Sequence, residues 1–97
     1  MTEAGAFAIA PDHPSLPGHF PGRPVVPGVV VLDLALEAIL RLHPGRRAAG
    51  LPQVKFTRPV LPGQTVTVSS APANQDRVAF ACRVDGTEVA RGTLLLG

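Results

Sequence analysis

Residues 19–33 read HFPGRPVVPGVVVLD, a histidine and an aspartate joined by a Pro/Gly segment that runs into an apolar stretch. Pro21, Pro24 and Pro27 recur at every third position, and each fixes its own φ near about −65°, so the chain after His19 is expected to be extended and stiff. Pro27 and Gly28 stand where a helix would begin: proline is pre-set for a first turn, and glycine lets another group approach the unpaired backbone N–H groups there. Such a helix start attracts negative charge. Asp33 then interrupts a run of Val, Leu and Ala. A candidate base (His19), a candidate anion site (Gly28) and a candidate acid (Asp33) are thus encoded within fifteen residues.

Reading outward from this stretch, good helix formers with almost no polar residues run from Gly28 to about Leu42 and predict one helix buried on most sides, ended by His43, Pro44 and Gly45. Before it, residues 5–10 are expected to form a short strand and Asp12–Pro27 a loop. After it the period becomes two. Val54 and Phe56 alternate with Gln53, Lys55 and Thr57, and Val66 and Val68 with Thr65, Thr67 and Ser69, so half-buried strands are expected. Val78, Phe80, Cys82 and Val84 share one face of a further strand. Asp85-Gly86 signals a tight hairpin into a last strand ending near Leu96, and Pro62-Gly63 and Asn74 mark the other turns. One strand, one helix and four antiparallel strands predict an α+β domain spanning 1–97, with a sheet wrapped around a helix.

Composition sets limits. A chain of 97 residues buries only about 60 to 65% of the surface its unfolded form exposes. With 45% apolar residues and a mean hydropathy of +0.25, some of the surface is expected to be covered by a partner subunit. The single Cys82 excludes an intrachain disulfide framework and a Cys-rich zinc site and is read as a core residue; a reducing cytoplasm is expected. Neither a signal peptide nor a membrane span is expected, because the longest apolar run is broken at Pro27, Gly28 and Asp33. A net charge of +2 with scattered Arg and Lys gives no case for nucleic acid.

The spacing, Gly28 nine and Asp33 fourteen residues after His19, resembles the β-hydroxyacyl-acyl carrier protein dehydratases of the FabA/FabZ type, whose segment reads like HFPGxPVMPG followed by apolar residues and Glu or Asp. Here only the Met position differs, as Val26. VKFTRPVLPG at 54–63 resembles that family's later KFRRPVxPG segment, and VDGTEVARGTLLL at 84–96 its closing hairpin. The resemblance implies a hotdog fold, no cofactor and no metal, and syn-type loss of water across C2 and C3 of a 3-hydroxyacyl thioester held on an acyl carrier protein. It makes His19 the base, the Gly28 N–H the donor to the thioester oxygen, and Asp33 the acid or the group that orients the water. It implies that the Val25 carbonyl fixes the tautomer of His19, and adds Phe20, Pro21, Gly22, Val29 and Glu37 as substrate contacts. It also implies a homodimer, or a higher oligomer, with His19 and Asp33 of each site on different subunits. Carrier docking falls to Arg41, Arg46, Arg47, Lys55 and Arg58.

Plainer roles compete with these. Asp33, Glu37 and Arg41 at i, i+4, i+8 also describe a solvated helix stripe with a Glu37–Arg41 pair. Gly22 and Gly63 serve as turn glycines, His13 and His43 as structural or solvent-facing residues, and Arg46 and Arg47 as favourable charge beyond a helix end. Glu37 stands where the family usually has Gln, which places two carboxylates one turn apart and is expected to raise the pKa of one. Two other classes fit the fold: a hotdog thioesterase, and a non-catalytic subunit that binds acyl chains or carrier protein.

Overall fold

The computed structural model describes residues 1–10 and 25–97. The elements are β1 (Thr2–Ala8), α1 (Gly28–Leu40), β2 (Ala48–Phe56), β3 (Thr65–Ser70), β4 (Arg77–Val84) and β5 (Thr87–Leu96). The strands form one antiparallel sheet in the order β1-β3-β4-β5-β2, with α1 laid against it.

Alternation along β4 builds the core. Val78, Phe80, Cys82 and Val84 all point inward, joined by Val66 and Val68 of β3 and by Ala90 and Leu94 of β5. From the other side α1 contributes Val31, Ala35, Ala38 and Ile39, whose spacing is that of one helical face. Fully burying a side chain such as Phe80 or Ile39 contributes about 1.5 to 3 kcal/mol, and this shared layer is the main reason α1 stays on the sheet. The Cys82 thiol lies inside it, and burial pushes its pKa up to about 11. Asp85 and Gly86 take φ of 50° and 78°, which makes the two-residue turn that sets the register Val84 opposite Thr87.

Four expectations are corrected. The first strand is Thr2–Ala8 rather than 5–10, because its partners on β3 run from Ser70 to Thr65. The helix start is as expected: Gly28 is the first helical residue and Pro27, with φ −56° and ψ 139°, its N-cap. The helix stops at Leu40, two residues early; Leu42 and His43 donate to the carbonyls of Ile39 and Leu40, tightening the last turn before Gly45 at φ +80°. Finally, α1 is not buried on most sides: Val29, Asp33, Glu37 and Arg41 form an exposed stripe along it. Phe56, expected on the inward face of its strand with Val54, is 48% exposed there, since β2 is an edge strand with two register shifts and Pro52 within it.

Candidate active site

The first turn of α1 lacks the usual devices that quiet a helix start. Pro27 offers no side-chain cap, and no acidic residue lies in the first turn. Val30 and Val31 donate to the Pro27 carbonyl at 3.0 and 3.3 Å, while the N–H groups of Gly28 and Val29 have no acceptor among the described residues. Among the described residues, two donors and the positive end of the helix dipole thus face no negative partner.

The Gly28 donor borders an open groove of about 440 Å³ lined by Val25, Val26, Gly28, Val31, Phe56, Thr57, Arg58, Pro59 and Val60. Its mostly apolar wall is held together by the Val26 N–H, which donates to the Val60 carbonyl at 2.8 Å and ties the approach to the helix to the segment after β2. Thr57 is fixed to β5 in turn, its N–H on the Val89 carbonyl and its hydroxyl on the Glu88 carbonyl, both at 2.9 Å. Between these two ties the Phe56 ring rests on Gly28. A Cβ built on Gly28 would meet Cζ at 2.7 Å and the two Cε atoms at 3.0 and 3.1 Å. Glycine leaves room here for the ring, and a Cβ would have to push its tip aside.

Of the residues singled out from sequence, Gly28, Val25 and Arg58 meet at this groove. His19, Phe20, Pro21 and Gly22 lie outside the described residues. Val29 is 65% exposed and shares its stripe with Asp33 and Glu37, so within one chain the Asp33 carboxylate is not among the groove's lining residues. Glu37 is ion-paired with Arg41 at 2.6 Å, as the stripe pattern anticipates.

The five basic residues do not form one cluster. Arg41 belongs to the helix stripe. Arg46 is held by Asp76 at 2.6 Å and by the Gly97 carbonyl at 2.9 Å, and the Arg47 backbone pairs with that of Gly97. Lys55 points away from the helix, since Val54 before it packs toward the core, and lies with Arg83 and Arg91 in a second groove of about 220 Å³. Sequence reasoning missed Phe56, Pro59 and Val60 as site residues. Their signal was present in VKFTRPVLPG, but only the contact with Gly28 shows what that segment does.

Comparison with known proteins gives the family and the fold. The profile of the ApeI-like family, described as ApeI dehydratase, matches residues 2–93. The 3-hydroxyacyl-[acyl-carrier-protein] dehydratase FabZ of Klebsiella pneumoniae is 32% identical over 101 residues, covering 90% of this chain and 67% of that protein. The dehydratase heterocomplex ApeI:P of Xenorhabdus doucetiae superposes with a TM-score of 0.81 at 26% identity, over 94% of this chain and 82% of that one. The fluoroacetyl-CoA-specific thioesterase FlK superposes with a TM-score of 0.73 at 19% identity, over 96% of this chain and 81% of that one, and shares the hotdog fold alone.

Proposed function

This chain belongs to the ApeI-like dehydratase family, and on that footing we propose that it removes water from a (3R)-3-hydroxyacyl thioester carried on an acyl carrier protein, giving the trans-2-enoyl thioester. His19 takes the C2 proton; a neutral imidazole has its pKa near the working pH, and this role contributes roughly 10²- to 10⁴-fold. The electron pair moves toward the thioester oxygen, where the Gly28 N–H meets the developing charge, a contribution of about 2.7 to 4 kcal/mol in comparable sites. The C3 hydroxyl leaves as water with a proton from Asp33. The proton on His19 then returns to the carboxylate through solvent, and the cycle closes.

The observation that carries this reading is the helix start: the Gly28 N–H, without an acceptor among the described residues and with no acidic residue in the first turn, borders an apolar groove directly after the HFPGRPVVPG segment. The exposed position of Asp33, away from the Gly28 groove of its own chain, supports a site completed across a subunit interface, with His19 from one protomer and Asp33 from the other. The acyl chain would lie against Val25 and Val26, which line the groove. A fatty acid, aryl-polyene or polyketide-type pathway is consistent with this chemistry, as is a cytoplasmic setting. No helix among the described residues is long and apolar enough to cross a membrane.

The likeness to the ApeI:P heterocomplex favours a second reading, in which the partner subunit is a different hotdog chain and this protomer supplies only part of each site. One experiment addresses both. The purified protein is incubated with 3-hydroxyacyl-carrier substrates of several chain lengths, its mass in solution is measured, and the carrier is followed by mass spectrometry. Loss of one water by a homodimer supports the first reading. Activity only after a partner is added supports the second. Release of free carrier thiol would show a thioesterase instead.

A further inference from the structure

We propose that Phe56 is a positioning residue for the Gly28 N–H, holding the helix start where the thioester oxygen becomes negative; this rests on the dehydratase reading. The ring is an odd feature to keep. It is an aromatic side chain about half exposed at the end of an edge strand, yet its tip sits so close to the Gly28 backbone that a larger residue there would have to displace the ring. It is braced from behind, because Thr57 is tied to β5 by two hydrogen bonds and Val60 to the helix approach through Val26.

The consequence is geometric. The Gly28 N–H points where the first turn of α1 points, and that turn has no side-chain cap to fix it. The aromatic contact takes over that task, linking the rigid centre of the sheet to the donor through β5, Thr57, Phe56 and Gly28. A displacement of about 1 Å in such a group costs about 10²-fold in rate. Gly28 is then needed twice, once for its exposed N–H and once for the space its missing side chain leaves to the ring.

The test is a double-mutant cycle on dehydration of a 3-hydroxyacyl thioester, with unfolding midpoints measured for every variant. Phe56→Ala should lower kcat by about 10- to 100-fold with KM changed less than about threefold. Gly28→Ala keeps the N–H but pushes Cβ into the ring, so it should cost a similar factor alone and add little in the Phe56→Ala background, where the collision is gone. Phe56→Leu with Gly28→Ala repeats the cycle with a milder cavity if Phe56→Ala does not fold. Losses that multiply, or a Phe56 variant with a lower midpoint but unchanged kcat for the folded protein, would overturn the positioning role while leaving wild-type turnover intact. A wild-type protein that yields no enoyl product would sink the dehydratase reading and the role of Phe56 with it.

Discussion

Glu37 and Arg41 lie one turn apart on the exposed stripe of α1 and close a 2.6 Å ion pair, so the carboxylate that stands one turn beyond Asp33 is held by a guanidinium on its far side. The pair is solvent-exposed and contributes only about 0.3 to 0.5 kcal/mol to the helix.

The first prediction follows from that exposure. Glu37→Gln and Arg41→Gln should each lower the unfolding free energy by no more than about 0.5 kcal/mol, and the double variant by no more than either alone. A loss above about 1 kcal/mol in chemical denaturation would show that a partner subunit covers the pair.

His19→Ala should abolish dehydration while leaving the unfolding midpoint close to wild type, because the core is built from β3, β4, β5 and α1. A variant retaining more than about a tenth of the wild-type rate is incompatible with a general base expected to contribute at least about 10²-fold.

For carrier docking, the structure separates five arginines and lysines that look equivalent in sequence. Arg58 borders the groove, whereas Arg46 is already engaged by Asp76 and the Gly97 carbonyl. Arg58→Glu should therefore raise KM for carrier-bound substrate more than for a small thioester mimic, with the difference shrinking at high ionic strength. Arg46→Ala should instead lower stability by about 1 kcal/mol and leave both KM values alone. Equal effects of the two variants on KM would point to a diffuse field rather than a patch.

Cys82 provides a stability test. Its folded pKa, about 11, lies above the ordinary 9.0 because burial disfavours the thiolate. As pH rises past 9 the unfolded thiol loses its proton while the folded one keeps it, so stability is constant below that range and falls between about pH 9 and 11. Two units correspond to at most about 2.7 kcal/mol. Chemical denaturation of wild type and Cys82→Ala across this range should show the extra loss in wild type only; parallel curves would show that the thiol ionises equally in both states.

Local patterns were legible in the sequence; long-range ones were not. The alternation of Val78, Phe80, Cys82 and Val84, the Asp85-Gly86 turn and the Gly28 helix start all follow from spacing within a few residues, and all hold in the structure. Phe56 was assigned to the correct face of β2, yet its exposure depends on β2 being an edge, which is a property of the whole sheet. The Phe56–Gly28 and Arg46–Asp76 contacts join residues far apart in the chain, and no local period announces them. The bounds of β1 were set by its partner β3, not by its own weakly patterned residues.

The shared site is tested by complementation. His19→Ala and Asp33→Asn proteins should each be nearly inactive alone. If the two are unfolded together and refolded at equal ratio, about half of the dimers are mixed, and each mixed dimer carries one site that has lost both groups and one that is intact. The refolded mixture should recover about a quarter of wild-type activity, provided assembly is random and the sites act independently. Were His19 and Asp33 to serve one site from a single chain, every site would keep one lesion and nothing would return. Absence of recovery after subunit exchange has been verified by mass would therefore remove the shared-site arrangement, and a mass showing no homodimer at all would direct the same experiment to a mixed assembly with a second hotdog chain.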